Sequence, residues 1–308
     1  MFHVGIDIGG TNIKVAIIEE NGAKIEVLSK NKFPFTKYPC DVLCEKINTS
    51  VLQMLDELHM TKDDLTSIGV GVPGSVDPSG KVLLIAHNIE YFDAPIVDEL
   101  SKYFPGKPIL MDNDANVAAL AEYYKGVFVG KKCAILLTLG TGLGCGMLIN
   151  GKLFNGGQNH GCEVGHLPFN YDGYPCTCGL TGCMEVYTKT AWLINEAKEK
   201  LGNEYTDAKM VIDAAKSGNE TAINIFNTYV DNLSTIIGGL CSFIDPEIVA
   251  LGGGISESGD ILYNSIKEKV SKRNFYQVQY DVVPAKMGNE AGVVGAAMLY
   301  TNRGNKNE

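Results

Sequence analysis

Two hairpin-like segments stand out in the hydrophobic pattern of the chain. Residues 4–18 contain two short apolar runs joined by a glycine turn, and residues 134–149 repeat this plan around a Gly/Thr turn. Short runs rich in β-branched residues on either side of a glycine turn are typical of β-hairpins. We therefore predict a hairpin in each segment, and their similarity indicates an internal duplication of a β-containing domain.

Strand and helix patterns alternate over the rest of the chain. Strand-like apolar runs lie at residues 67–72, 108–111 and 247–251. Helical periodicity is found at residues 40–58, 115–125, 187–201, 219–243, 259–272 and 291–300. This alternation predicts an α/β architecture, with a domain boundary near residue 115. Residues 151–185 show no clear period, and a loop of this length indicates a functional role.

Composition excludes two classes of protein. Glycine accounts for 35 of the 308 residues, about 11% against a usual ~7%. No Gly-x-y period is present, so a collagen-like chain is excluded, and 45% hydrophobic residues exclude a disordered one. Glycine weakens helices and strands, so we expect the surplus to serve loops.

The charge balance and the cysteines restrict partners and location. Thirty-six acidic against 26 basic residues give a net charge of -10, with no basic stripe for a nucleic-acid partner. Nine cysteines, an odd number in a chain of this length, favour reduced thiols in a cytoplasm. Asp7 interrupts the first apolar run, so no secretory signal is expected. Residues 133–150 lack charges, but alternate glycines favour a buried hairpin over a membrane span.

The turns of the two hairpins are candidate phosphate-binding sites. Each offers backbone N–H groups that a ligand can approach without meeting a β-carbon, and the Asp7 carboxylate could hold a magnesium ion. A tight hairpin also requires glycine for its own geometry, so one turn alone is weak evidence; two such turns together form a possible phosphate clamp. The residues concerned are Asp7, Gly9, Gly10, Thr11, Gly140, Thr141 and Gly142.

A third glycine segment follows a buried-looking strand at Gly252, Gly253 and Gly254. Consecutive glycines leave a flat backbone surface for a nucleotide base or ribose, although the same residues also suit an ordinary strand-to-helix turn. The chain lacks both the Gly-x-Gly-x-x-Gly dinucleotide motif and the Gly-x4-Gly-Lys-Ser/Thr phosphate loop. Nucleotide binding, if present, must therefore use another architecture.

Asn113 and Asp114 lie between a predicted strand and a predicted helix. The local sequence favours Asp114 as the N-cap of the helix, because Asp is among the preferred capping residues. The alternative is a general base, since a carboxylate at a strand end near a phosphate clamp can take a proton from an attacking hydroxyl.

A cysteine-rich segment predicts a structural zinc site. His166, Cys176, Cys178 and Cys183 follow the spacing His-x9-Cys-x-Cys-x4-Cys. One imidazole and three thiolates complete a tetrahedral zinc site without an open position for a catalytic water. The alternative is a loop with unrelated reduced thiols, and Cys162 is close enough in sequence to compete as a ligand.

Two acidic residues accompany this segment. Glu163 precedes His166 by three residues, and Glu185 follows Cys183 by two. Carboxylates and an imidazole can anchor the hydroxyl groups of a sugar by hydrogen bonds. Both glutamates are equally well explained as solvated acids, and these residues alone leave the two interpretations open.

Taken together, these motifs resemble those of the ROK family, the repressor, open-reading-frame and kinase group of the sugar kinase, actin and heat-shock ATPase superfamily. Residues 163–166 and 176–185 look like the zinc signature of that family, and residues 7–11, 71–74, 113–114, 140–142 and 252–254 occur in its order. The resemblance implies two ribonuclease-H-like α/β domains around a cleft that closes on sugar, with a zinc-binding loop. It places residues 1–114 and about 291–308 in a smaller N-terminal domain, and residues 115–290 in a larger one.

The resemblance also implies an ATP-dependent hexose kinase that uses ATP, Mg²⁺ and structural Zn²⁺ and phosphorylates a sugar, usually at O6. Asp114 matches the catalytic base, which replaces the local preference for a cap. His166 would bind zinc through one ring nitrogen and face the sugar with the other. The sequence departs from the family at residues 161–162, where Gly-Cys replaces the common Ala-Gly. The matching sugar ligands are Asn113, Asp114, Glu163, His166 and Glu185, and the backbone near Gly71 is expected to line the same pocket.

The family includes sugar-responsive transcriptional regulators, which form the main alternative. Those members carry a helix-turn-helix before the first hairpin, whereas only residues 1–3 precede it here, so a kinase is expected. Glucose is the first expectation for the substrate, and allose, mannose, fructose, N-acetylmannosamine and β-glucosides are alternatives. The resemblance further implies a homodimer, which no feature of the sequence establishes.

Overall fold

The computed structural model describes residues 1–86, 89–159 and 161–304. They form two compact units. The first contains the described residues of Met1–Gly130, Gly146–Gly161 and Lys286–Glu308, and the second contains Lys131–Cys145 and Cys162–Ala285.

Strands and helices alternate along the chain, as expected for an α/β protein. Up to residue 125 the elements are β1 (Phe2–Ile8), β2 (Asn12–Asn21), β3 (Lys24–Pro34), α1 (Cys40–Glu57), β4 (Leu65–Val72), β5 (Ser75–Val76), β6 (Leu83–Ala86), β7 (Tyr91–Ala94), α2 (Ile96–Ser101), β8 (Ile109–Asn113) and α3 (Asp114–Lys125). The remaining elements are β9 (Ala134–Leu139), β10 (Leu143–Ile149), β11 (Lys152–Leu153), α4 (Met184–Thr188), α5 (Thr190–Leu201), α6 (Ala208–Lys216), α7 (Glu220–Ile244), β12 (Ile248–Gly252), α8 (Asp260–Arg273), β13 (Val282–Pro284), α9 (Ala291–Ala297) and α10 (Leu299–Arg303).

The two predicted hairpins are confirmed, and each begins a five-stranded mixed sheet. The first sheet has the order β3-β2-β1-β4-β8, and the second has the order β11-β10-β9-β12-β13. In the first, β1 pairs antiparallel with β2 and parallel with β4, and β4 pairs parallel with β8. In the second, β9, β12 and β13 are parallel. The same strand order in both sheets supports the duplication inferred from the sequence.

Most predicted helices are confirmed to within a few residues, but two are interrupted. The helix predicted at residues 187–201 is replaced by α4 and α5, because Lys189 between them has an extended backbone with φ -70° and ψ 152°. The last predicted helix is divided into α9 and α10 at Met298. The small sheet β5-β6-β7 and helix α6 were not predicted. None of the described helices is both long and apolar enough to cross a membrane.

The compact units do not share the boundaries predicted for the domains. Helix α3 belongs to the first unit, because its backbone lies directly against α9 and β10. A β-carbon on Gly295 would lie 1.5 Å from the carbonyl oxygen of Val117, and one on Gly146 would lie 2.3 Å from that of Ala115. Residues 305–308, assigned to the first domain from the sequence, lie outside the described residues.

A buried carboxylate fixes the end of α3 in the first unit. Glu122 is 1% exposed. Its Oε1 accepts hydrogen bonds from the backbone N–H groups of Lys286 and Met287, both at 2.7 Å, and its Oε2 accepts one from Val127 at 2.8 Å. Hydrogen bonds to a buried charged group are among the strongest in a protein, so Glu122 ties α3 to the chain that enters α9.

Replacing this carboxylate should destabilise the first unit. In Glu122→Gln an amide N–H₂ group must face one of the backbone donors, and the hydrogen bonds that remain lose their charge. We expect the free energy of unfolding to fall by about 3 kcal/mol, measured as a lower urea midpoint by circular dichroism. The control is Glu268→Gln, which removes a solvent-exposed ion pair with Lys272 and should leave the midpoint almost unchanged. Equal midpoints for both variants would contradict this role for Glu122.

Candidate active site and metal centre

In the first unit, the predicted site residues gather at the carboxyl ends of three neighbouring strands. Asp7 of β1 is paired in register with Gly71 of β4, and Gly71 is paired with Asp112 of β8. Asn113 and Asp114 follow directly at the junction of β8 and α3. The carboxyl ends of parallel strands are a common place for ligand binding in α/β proteins.

The turn after β1 has the features expected of a phosphate-binding loop. The Gly9 N–H donates to the carbonyl oxygen of Asn12 at 3.0 Å, which closes the turn, while Gly10 and Thr11 are exposed. Asp7 is not alone at the strand end, because Lys14 Nζ donates to its Oδ2 at 3.0 Å. Sequence reasoning missed this lysine. The hairpin register, which places Asp7 opposite Lys14, is the signal that could have identified it.

Asn113, rather than Asp114, caps helix α3. Asn113 Oδ1 accepts a hydrogen bond from the Ala115 N–H at 2.8 Å, and its Nδ2 donates to the carbonyl oxygen of Gly74 at 2.9 Å. The local prediction that Asp114 is the cap is therefore corrected. Asp114 is the first helical residue and its side chain is exposed, although its Oδ1 also accepts from the Ala115 N–H at 2.8 Å. The positive end of the helix dipole stabilises a carboxylate at this position.

Gly71 is buried beneath α3. A β-carbon there would lie 2.8 Å from Cγ2 of Val117, so the close packing of this helix on β4 requires glycine.

In the second unit, the two remaining glycine segments are adjacent. Gly140 N–H donates to the carbonyl oxygen of Gly142 at 3.1 Å, and Thr141 at the tip is exposed. Gly253 has φ 87°, and a β-carbon there would lie 2.1 Å from the carbonyl oxygen of Leu139. Gly253 and Gly254 are exposed and Gly252 is half-buried. Both turns thus expose backbone groups at the same end of the second sheet, where the parallel strands β9 and β12 end.

Glu185 contacts the turn between β9 and β10. Its Oε2 accepts a hydrogen bond from the Leu143 N–H at 3.1 Å, and a β-carbon on Gly142 would lie 2.4 Å from the same oxygen. Gly165 also lies against Leu143, since a β-carbon there would be 2.5 Å from the Leu143 carbonyl oxygen. The turn that bears Glu163 and His166 therefore also packs against the predicted phosphate loop.

The four predicted zinc ligands come together in the second unit. The ligand atoms of His166, Cys176, Cys178 and Cys183 all lie within 4.8 Å of one another. Cys176 Sγ is 3.8 Å from His166 Nδ1, and Cys178 Sγ is 3.7 Å from Cys183 Sγ. A tetrahedral zinc with Zn–S bonds of about 2.3 Å requires sulfur separations of about 3.8 Å. The donor set and its spacing therefore fit zinc.

Cys162 is not part of this group of four. Its thiol interacts instead with that of Cys145, and this hydrogen bond together with burial raises the pKa of Cys145. Cys162 has φ 71°, in the left-handed region that favours glycine. Glu163, the next residue, is exposed. The backbone of Cys162 thus has the conformation that is typical of a glycine at the position before Glu163.

Similarity to known proteins extends over nearly the whole chain. Glucokinase from Halalkalibacterium halodurans is 33% identical, and the alignment covers 100% of this chain and 97% of that protein. N-acetyl-D-glucosamine kinase from Haemophilus influenzae is 30% identical, with coverage of 98% and 100%. The crystal structure of a ROK family glucokinase from Streptomyces griseus in complex with glucose and AMPPNP has a TM-score of 0.78 at 29% identity, covering 99% of this chain and 100% of that one. The profile that describes the ROK family matches residues 3–303, and the chain therefore belongs to the ROK family.

Proposed function

We propose that this protein is an ATP-dependent hexose kinase that transfers the γ-phosphate of ATP to the O6 hydroxyl of a sugar. Glucose is the sugar that we favour as its substrate. The observation that carries this proposal is the exposed Asp114 carboxylate at the start of α3, where Asn113 performs the capping. Family membership and the kinases among the relatives support a sugar and ATP as substrates.

In the proposed mechanism, Asp114 is the general base. Its carboxylate accepts the proton of the sugar hydroxyl as the oxygen attacks the γ-phosphorus in line, and ADP leaves. A phosphoryl transfer of this kind depends mainly on positioning and on stabilising the charge of the transferring group. The N-terminus of α3 favours a negative charge at Asp114.

The glycine turns are proposed to bind the nucleotide. The backbone around Gly9 and Gly10, and that of Gly140 to Gly142, would hold the phosphates, with Thr11 and Thr141 as further donors. Gly252 to Gly254 would face the base or ribose. Mg²⁺, held with the phosphates near Asp7, supplies neutralising charge when it is bound. Lys14, which contacts Asp7, adds a fixed positive charge beside the first turn.

The sugar is proposed to bind to the residues that match the sugar ligands of the ROK family. Asn113, Glu163, His166 and Glu185 would anchor its hydroxyl groups, with backbone near Gly71 lining the pocket. Asn113 already uses one amide hydrogen for Gly74 and one lone pair for Ala115. It therefore has one hydrogen and one lone pair left for a ligand.

Zinc is proposed to order the loop that bears Glu163 and His166, without taking part in the chemistry. With Nδ1 of His166 facing the thiols, Nε2 is left on the opposite side of the ring, available to a sugar hydroxyl. A zinc-bound imidazole has a fixed orientation and tautomer. The metal would thus determine the direction in which His166 donates or accepts a hydrogen bond.

Glucose is favoured over other hexoses by the glucokinases among the relatives. N-acetylglucosamine is the second candidate, because a relative of almost equal identity is a kinase for that sugar. Allose, mannose, fructose, N-acetylmannosamine and β-glucosides remain further alternatives from the family resemblance.

We also propose a cytoplasmic location, in keeping with nine free cysteines, and a homodimer, which rests on the resemblance alone.

A coupled ADP-release assay against a panel of monosaccharides tests the proposed function. We expect ADP release to depend on the added hexose and to be fastest with glucose. N-acetylglucosamine in the same panel distinguishes the second candidate. ATP consumption that no sugar stimulates would contradict the kinase assignment.

Asp114→Asn should abolish phosphoryl transfer while preserving the fold. The amide cannot accept the hydroxyl proton, so we expect kcat to fall by about 100-fold or more, with an unchanged circular dichroism spectrum. Asp63→Asn, which alters an exposed carboxylate before the amino end of β4 and away from the carboxyl ends of the strands, is the control. Near-normal turnover in Asp114→Asn would exclude this residue as the base.

Metal analysis of protein purified without chelator should find about one zinc per chain. Cys178→Ser should lower the zinc content and raise the KM for sugar, because the loop that bears His166 loses its anchor. Cys133→Ser changes a cysteine outside the group of four and should retain zinc. The zinc assignment fails if the freshly purified protein contains none, or if both variants bind it equally.

A further inference from the structure

A second aspartate, Asp112, lies two residues before the proposed base and is 2% exposed. Its carboxylate accepts four hydrogen bonds. Oδ1 receives the Asn113 N–H and Asn116 Nδ2, both at 2.8 Å, and Oδ2 receives Asn155 Nδ2 at 2.6 Å and an Arg303 guanidinium nitrogen at 2.7 Å. The four donors come from three separate segments of the first unit, so this one side chain joins them.

The surroundings of Asp112 are arranged around its negative charge. Arg303 is the cationic partner and also donates to the carbonyl oxygen of Met111 at 3.3 Å. Asn116 turns its amide nitrogen toward the carboxylate, which leaves its buried Oδ1 without a hydrogen-bond partner among the described residues. An unsatisfied buried acceptor is unfavourable, so the hydrogen bond from Asn116 to Asp112 is kept at the expense of the amide oxygen.

Asp112 acts directly on the turn that presents Asp114. It holds the N–H of Asn113 from the strand side, and Asn113 in turn caps α3 through Ala115. Its bond to Asn116 reaches the first turn of the same helix. One carboxylate thus holds the backbone before Asp114 and the Asn116 side chain after it, which limits the directions in which the Asp114 side chain can point.

A further part of the hydrogen-bond network involves Asn155 and Asn159. Asn155 also donates to Asn159 Oδ1 at 2.9 Å, and Asn159 donates to the carbonyl oxygen of Asp77 at 3.1 Å. Residues 155–159 therefore have a fixed place in the first unit, and they lie a few residues before Glu163 in the sequence. The same network supports the base and the chain that leads to a proposed sugar ligand.

We propose that Asp112 is a positioning residue for phosphoryl transfer, which holds Asp114 in its reactive orientation and is itself held by Arg303 and Asn155. The inference rests on the proposed function, since it needs Asp114 to act as the base. The competing explanation is that Asp112 contributes only to folding. The two differ in their effect on kcat in properly folded protein, because displacement of a reacting group by about 1 Å can cost about 100-fold in rate.

The experiment compares Asp112→Asn with the wild type in the hexose-dependent ADP-release assay. In the variant, the new amide nitrogen must face one of two donor pairs, either Asn113 and Asn116 or Asn155 and Arg303. We expect kcat per folded protein to fall by about 10- to 100-fold, with the KM for ATP within about twofold of the wild type. Asn155→Ala removes the hydrogen bonds from Asn155 to Asp112 and to Asn159, and it replaces Asp112→Asn in the comparison if that variant does not fold. Its expected loss in kcat is about 3- to 10-fold.

Two variants of helix α10 provide a matched comparison. Arg303→Met removes the cationic partner of Asp112. Thr301→Val removes a different hydrogen bond of the same helix, that from Thr301 Oγ1 to Glu20 at 2.7 Å. If Asp112 positions the base, Arg303→Met lowers kcat and Thr301→Val does not, when both are compared at temperatures well below their melting points. An equal loss in both variants would show that only the packing of α10 matters and would overturn the inference.

A double-mutant cycle separates this inference from the proposed function. If Asp112 acts through Asp114, adding Asp112→Asn to Asp114→Asn lowers the residual rate no further, because groups that work as a unit are not additive. If both backgrounds lose the same factor, the kinase assignment stands and the role of Asp112 is refuted. If wild-type protein phosphorylates no sugar, the proposed function fails, and the inference fails with it.

Discussion

Direct backbone contact between helix α9 and the first sheet is the constraint on which the first unit depends. β-Carbons on Gly5 of β1 and Gly69 of β4 would lie 1.9 and 1.7 Å from carbonyl oxygens of Val293 and Ala296 in α9. On the other face of this helix, Gly295 is equally close to α3. Any side chain at these positions would separate the layers, because packed interiors have no space for an added atom. The glycine surplus in the composition thus serves helix packing as well as loops.

This packing determines where the proposed base lies. The chain passes directly from β8 into α3, so the first residue of α3 lies beside the ends of β1 and β4. The packing of α3 between α9 and β10 then fixes the direction of the helix. Buried polar groups then fix the helix at both ends, Asp112 at the start and Glu122 near the end. Each of these carboxylates is surrounded by several donors, as burial of a charge requires. Apolar packing brings the elements together, and the two carboxylates fix the position of α3 relative to its neighbours.

One segment of the second unit is ordered by different means. Residues 162–185 contain little regular structure, and a loop of this length loses much conformational entropy when it is ordered. One histidine and three cysteines converge there, with ligand atoms within 4.8 Å of one another, beside a small buried cluster that includes Val186 and Tyr187. The ordered segment then delivers Glu185 to the Leu143 amide. A single carboxylate thus touches the predicted phosphate loop while belonging to the predicted sugar site.

The sequence by itself determined the features that depend on neighbouring residues. Both hairpins and the long helices follow from local periodicity and turn chemistry, and the structure agrees with them. The spacing of His166, Cys176, Cys178 and Cys183 predicts a zinc site, and their ligand atoms lie within 4.8 Å of one another. Only the tertiary structure decided which of Asn113 and Asp114 caps α3, since both are good caps and the donor geometry makes the choice. It also decided that α3 packs with the first unit, and that Asp112 meets Asn155 and Arg303, which are 43 and 191 residues away. Such pairings carry no local pattern, because a hydrogen bond between distant residues depends on the packing of the whole unit and leaves no period in the chain.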